Sequence, residues 1–182
     1  PENALDPSQQ LSPEGIKRAE ELLEAAKKVE LDAVEYLMLG QLAVSAGNHS
    51  EAESYFAIAR DVFKSLGKNR MHAHSIYRIG ISLTHQMKLK ESYEMHKQAR
   101  KEFQKLGDRE MESNVFADMG SLRMEDGKFE DAKKIYNKIL KKMKESPISQ
   151  YKAWSGLGII AQKEADWQTA LKCHNESMLF AG

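Results

Sequence analysis

Four glycines set the period of this chain. Gly40, Gly80, Gly120 and Gly158 stand 40, 40 and 38 residues apart. Placing the sequence in register on them aligns other positions without adjustment. Four residues before each glycine stands Tyr36, Ile76, Phe116 or Trp154, and one before stands Leu39, Ile79, Met119 or Leu157. Twelve after comes a small residue, Ala52, Ser92, Ala132 or Ala170, and sixteen after comes Phe56, His96, Tyr136 or His174. The string Ala59-Arg60-x-x-Phe63-x-x-Leu66-Gly67 returns as Ala99-Arg100-x-x-Phe103-x-x-Leu106-Gly107. A repeat of this length is one supersecondary unit that cannot bury its apolar side alone and must stack on its neighbours.

Each unit reads as two helices. The first helices are expected over about 32–46, 70–87, 109–125 and 149–164. The second are expected over about 49–66, 89–106, 129–144 and 167–180. Gly67 and Gly107 are natural left-handed helix ends. Ser146-Pro147 replaces them in the third unit and accounts for the shorter spacing. Gly47-Asn48 and Asp126-Gly127 supply tight turns inside units one and three, whereas Met87-Lys88 and Ala165-Asp166 lack a glycine. The recurring glycine and the small residue let two helices cross at close range. No segment alternates strictly enough to be a half-buried strand. Residues 1–11 form a polar lead-in. Ser12-Pro13-Glu14 reads as a helix start, and Ile16, Ala19, Leu22, Leu23 and Ala26 fall on one face of a separate N-terminal helix over 12–30.

Composition closes off several function classes. Lys+Arg and Asp+Glu balance at 27 each, so no basic field points to nucleic acid. Lys133-Lys134 and Lys141-Lys142 read as a solvated outer face. A single cysteine, Cys173, excludes an internal disulfide and a cysteine zinc cluster, and fits a reducing compartment such as the cytoplasm. No apolar run reaches the roughly 18 residues of a membrane span. The N-terminal stretch has no secretory signal pattern, and the missing initiator Met points to processing or to a longer parent. No P-loop, nucleophile elbow, zinc-protease or dinucleotide motif occurs, so no enzyme, cofactor or metal is expected. Gly156-x-Gly158 reads as close helix packing. His72 and His74 point to different faces, and His74 and His85 lie too far apart to share a metal ion. His96 and His174 occupy the position of a core aromatic. Cys173 is expected to be a buried small residue.

The pattern resembles the tetratricopeptide repeat, W-x2-L-G-x2-Y…A-x3-F. Trp154-x2-Leu157-Gly158 with Ala170 carries it, as do Tyr36-x2-Leu39-Gly40 with Ala52-x3-Phe56, and Phe116-x2-Met119-Gly120 with Ala132-x3-Tyr136. The match runs from Leu31 to Phe180. It departs where the second Tyr of the pattern is Ala43, Leu83, Arg123 or Ala161. The long repeat is similar to those of G-protein-signalling modulators, kinesin light chains and peptide-sensing bacterial regulators. The resemblance implies an all-α fold, an α-solenoid of tetratricopeptide-type hairpins in a right-handed superhelix. Its four repeats would span about 31–68, 69–108, 109–147 and 148–182.

The resemblance also implies that the first helices line a concave groove for a protein or peptide. The positions it assigns to the groove include Leu37, Gln41, His74, Tyr77, Arg78, Ile81 and His85, then Asn114, Asp118, Ser121 and Met124, then Lys152 and Ile159. Ala117 stands among them. Arg78 and Asp118 are read equally well as a bridge between neighbouring repeats. Some relatives clamp a C-terminal carboxylate, but the clamp positions here hold Leu37, Gln41, Arg78, Asn114 and Asp118. With one cation and one repelling acid, chaperone tails are not expected to bind. The favoured function is a non-catalytic adaptor or scaffold. The alternatives are the peptide-sensing half of a larger regulator, and a scaffold that self-assembles through uncapped repeat ends.

Overall fold

In the computed structural model, residues 13–180 are described. They form eight helices: α1 (Pro13–Ser45), α2 (His49–Ser65), α3 (Asn69–His85), α4 (Leu89–Lys105), α5 (Arg109–Glu125), α6 (Phe129–Lys142), α7 (Pro147–Lys163) and α8 (Trp167–Met178). No strand occurs among the described residues. Each helix packs on its neighbours in the chain, and α5 packs also on α7. This nearest-neighbour architecture is an α-solenoid.

The glycine period has a direct steric cause. A Cβ on Gly40 would lie 2.5 Å from the Phe56 ring, on Gly80 2.6 Å from His96, on Gly120 2.5 Å from Tyr136, and on Gly158 2.9 Å from His174. Each first helix therefore offers bare backbone to the ring of its own second helix. Gly156 adds a second such contact, because its Cβ would meet the same Tyr136 ring at 2.4 Å from the next hairpin. Around these contacts the core is a chain of clusters. Ala52 and Phe56 pack with Ile79 and Leu83 of the following hairpin. Ile76, Ala99 and Phe103 pack with Val115. Tyr136 and Ile139 pack with Ala153 and Ile160.

Six of the seven turns repeat one hydrogen-bond pattern. Asn48 N–H reaches Ala43 O at 2.8 Å while Gly47 N–H reaches Val44 O at 3.0 Å. The same pair of bonds closes the turns at Gly67, Met87, Gly107, Gly127 and Ala165. This is the Schellman closure, which puts the residue after the helix in the left-handed region. Met87 and Ala165 take it at φ of 59° and 60° despite their side chains. The seventh turn, between α6 and α7, has no such glycine. Ser146 caps α7 there, accepting from Ser149 N–H at 3.3 Å, with Pro147 in the first turn.

One helix differs from the sequence reading. The separate helix over 12–30 and the first-repeat helix from residue 32 are continuous as α1. Nothing at Val29-Glu30-Leu31-Asp32 breaks a helix, because neither Gly nor Pro stands between Gly15 and Gly40. Its early apolar residues Leu22, Leu23 and Ala26 are exposed. The lead-in over 1–11, the Ser12 cap, and the side chains of Ile16 and Ala19 lie outside the described residues.

Three substitutions follow from this geometry. Gly120→Ala and Gly156→Ala, each pressing a methyl into the Tyr136 ring, should lower unfolding free energy by about 1–3 kcal/mol in urea titrations. Ala165→Gly should act oppositely, because a non-glycine left-handed residue costs about 1–2 kcal/mol while glycine's extra unfolded-state freedom costs about 0.4–1 kcal/mol. A small upward shift of the urea midpoint is expected, and a fall would show that the Ala165 turn is unstrained.

Candidate functional site

The first helices α1, α3, α5 and α7 together line two hollows. One, of about 440 Å³, lies between α1 and α3 and is mainly apolar, with Val34, Leu37, Met38 and Met71 beside Gln41, His74 and Arg78. The other, of about 270 Å³, is lined by Tyr77, Ile81, Thr84 and His85 of α3, by Asp118, Ser121, Leu122 and Glu125 of α5, and by Lys152 of α7. His96 of α4 forms part of its floor. The helical period explains the lining, since residues three and four apart share a face.

Hydrogen bonds fix the second hollow from behind. Tyr77 Oη donates to Asp118 Oδ2 at 2.7 Å, and Lys152 Nζ pairs with Asp118 Oδ1. Asp118 thus ties α3, α5 and α7 together. Arg78 reaches Gln41 Oε1 on α1 instead, so the bridge expected between Arg78 and Asp118 is replaced by two bridges to other residues. The Tyr77 ring meets His96 edge-on at 5.5 Å between centroids. Burial and the adjoining Asp118 charge push the Tyr77 hydroxyl well above the usual phenol range. Burial, chiefly, pushes Tyr136 up to about 12, and its hydroxyl lies 3.3 Å from Ser121 Oγ. Both phenols are therefore neutral hydrogen-bonding groups. At the mouth stand His85 and Glu125, both exposed. No ion pair to Glu125 is found among the described residues.

Of the positions assigned to the groove, Leu37, Gln41, His74 and Arg78 border the first hollow. Tyr77, Ile81, His85, Asp118, Ser121 and Lys152 border the second. Ile159 is exposed outside both, and Met124 packs against the core of the third hairpin. Asn114 does not belong to the groove. It is 8% exposed, and its Oδ1 accepts from Ser146 Oγ at 2.6 Å. It belongs to a buried polar joint in which Ser113 donates to Ser149 at 2.6 Å and Gln150 donates to Met143 O at 2.8 Å. This joint replaces the missing Schellman turn, because buried polar groups must find partners. Ala117 is fully buried as well.

Sequence reasoning missed the floor role of His96, whose position in the pattern marks it only as a core residue. Its Nδ1 lies 2.8 Å from Ser92 O, and burial holds its imidazole below the usual histidine range. Arg123, the polar departure from the repeat pattern, is also explained. Its guanidinium lies 3.7 Å over the Tyr93 ring of the preceding hairpin and serves as a packing lid. Cys173 is buried, and burial raises its thiol above the usual range.

The arrangement offers shape, apolar surface and a few oriented polar groups. Ser121 Oγ donates to Ala117 O at 3.4 Å and has no base beside it. No group of three His, Cys, Asp or Glu side chains among the described residues could hold a metal ion. No helix among them is long and apolar enough to cross a membrane.

Comparison with known proteins follows the fold. The family model described as "Soluble NSF attachment protein, SNAP" matches residues 16–157. Among solved structures, the crystal structure of BtubC (BKLC) from P. vanneervenii is similar, with a TM-score of 0.69 at 16% identity. The likeness covers 84% of this chain and 64% of BtubC, so this chain spans less than two thirds of that protein's length. No curated protein sequence matches the chain.

The buried histidine makes a pH prediction. A histidine whose folded pKa is depressed contributes stability that is present above its unfolded pKa of about 6.5 and lost as pH falls toward the folded value. His74, also lowered chiefly by burial, acts in the same direction. Thermal melts should therefore drop between about pH 7.5 and pH 5. His96→Phe, which installs the residue type of Phe56, should flatten that drop, and Ser92 Oγ keeps Gly80 O as acceptor at 2.9 Å. An identical pH slope in the variant would remove His96 as a cause.

Proposed function

The chain belongs to the soluble NSF attachment protein (SNAP) family, and from that premise we propose that it is a non-catalytic interaction module that holds a peptide or helix of another protein in its groove. Attachment, the task in the family's name, is a protein–protein task. In this reading the repeats span about 31–68, 69–108, 109–147 and 148–182, and 12–30 is a cap or the remnant of a preceding repeat. The long repeat keeps the chain within the class of adaptors and scaffolds named above. A reducing compartment such as the cytoplasm suits its single buried cysteine.

The observation that carries the reading is the pair of hollows on the face of α1, α3, α5 and α7, both mainly apolar, the second edged by the charged residues Asp118, Glu125 and Lys152. A partner needs at least two anchors to be held in register. An apolar side chain fits over Val34, Leu37, Met38 and Met71. A polar or cationic one fits the second hollow, where Glu125 stands at the mouth and Tyr77, Asp118 and Lys152 are already mutually paired. Pre-pairing keeps the floor rigid, which lowers the ordering cost of binding.

Two outcomes test this. Partners captured by the intact protein should be lost from a Met38→Glu/Arg78→Ala variant that retains wild-type helicity; unchanged capture would exclude the groove as the binding face. A peptide ending in a free carboxylate should show no micromolar affinity, because Arg78 is engaged with Gln41 and the neighbouring acid Asp118 repels the carboxylate. Micromolar binding lost on Arg78→Ala would reverse that expectation.

A further inference from the structure

A third hollow, of about 370 Å³, lies between α4, the start of α5 and the end of α6. It shares no lining residue with the two hollows of the groove. Four cations line it, Arg100, Arg109, Lys138 and Lys142, against two carboxylates, Glu112 and Glu145. In a chain whose charges balance overall, the hollow holds a local excess of two positive charges.

Both carboxylates are already engaged. One oxygen of Glu112 accepts from Arg100 at 3.0 Å and from Gln104 at 2.6 Å, and Glu145 pairs with Arg109 at 3.5 Å. Lys138 and Lys142 are exposed and form no ion pair among the described residues. The Nε of Arg100 is buried and has no hydrogen-bond partner among the described residues, a state that costs free energy. The Arg100 guanidinium lies 3.8 Å from the centre of the Phe116 ring, and Lys138 Nζ approaches the same ring at 5.5 Å. One ring thus gathers two like charges, and an anion in the hollow offsets their repulsion. The two lysines are particular to this hairpin. Their counterparts in register are Ile58 and Val62, Gln98 and Glu102, and Glu176 and Phe180. The repeat therefore requires a cation at neither place, and Lys141 in the same last turn already complements the dipole of α6.

We propose that this hollow is a docking site for a phosphorylated serine, threonine or tyrosine of a partner protein. A phosphomonoester carries about −1.5 to −2 charge at pH 7 and three strong acceptor oxygens. That charge matches the local excess of two. Its oxygens accept from the two free ammonium groups and supply what Arg100 lacks, and arginine is well suited to phosphate. A carboxylate brings half the charge and fewer acceptors. Nucleic acid is a poorer occupant, because the Phe116 ring beneath is 7% exposed and is not open to stack a base. The site goes beyond the groove reading and is independent of what the groove holds.

The test titrates the isotope-labelled 182-residue chain with a capped alanine peptide bearing one central phosphoserine, followed by nuclear magnetic resonance. The Arg100 Nε–H signal should shift, and the same peptide with serine should leave it unmoved. Lys138→Gln/Lys142→Gln changes exposed positions, so it should keep wild-type helicity while weakening phosphopeptide binding about tenfold or more. Met38→Glu/Arg78→Ala should bind the phosphopeptide as wild type does, which separates this site from the groove. No shift with the phosphopeptide overturns the proposal, and so does equal binding by wild type and the lysine variant. Binding to phosphatidylcholine vesicles carrying phosphatidylinositol phosphate, with none to the phosphopeptide, assigns the hollow to a lipid headgroup and overturns the protein occupant.

Discussion

The contact between a bare glycine backbone and an aromatic or imidazole ring governs this molecule. It occurs at Gly40–Phe56, Gly80–His96, Gly120–Tyr136 and Gly158–His174, each too close for a Cβ. It sets how near the two helices of a hairpin approach. The Schellman turn sets how the chain re-enters, and with spacing and entry fixed, the hairpins stack by a nearly constant operation. The core is then divided into clusters that each draw on adjacent hairpins. Stability in such an array is a sum over joints, with no single central core.

Because the backbone operation is constant, individuality lies in side chains at the joints and on the inner face. Each joint is finished differently. His49 stacks on His85 at one, Arg123 covers Tyr93 at the next, and a buried Ser and Asn network closes the joint where the Schellman turn is absent. These finishes are local answers to a shared demand: rings need faces, and buried polar groups need partners. On the inner face, Asp118 binds three first helices at once through Tyr77 and Lys152. A charge so placed is structural first, and it leaves Glu125 and the apolar residues near Met38 as the groups free to meet a ligand.

The groove lies along the array, where the helical face repeats and partners can be read by several hairpins in turn.

The sequence by itself indicated the boundaries of α2 to α8 to within two or three residues and the fixed spacing of the recurring glycines and rings, although it paired each glycine with the small residue and the structure sets it against the ring. All of these depend on local periodicity and on residue size at fixed spacing, which a linear sequence records. The resemblance assigned Leu37, Tyr77 and Arg78 to the inner face, and they border the two hollows. Only the tertiary structure decided which of those residues are already spent. Asn114 and Ala117 share the phase of groove residues but are buried, because the joint after α6 lacks a glycine and draws α5 and α7 together. Asp118 pairs with Tyr77 and Lys152 instead of Arg78, because partner choice depends on distances across three helices. The fusion of α1 into one helix was likewise settled by the whole chain, since its sequence contains no stop and the expected break came only from counting repeats. Phase is written one residue at a time, whereas pairing is a property of surfaces that meet only after folding.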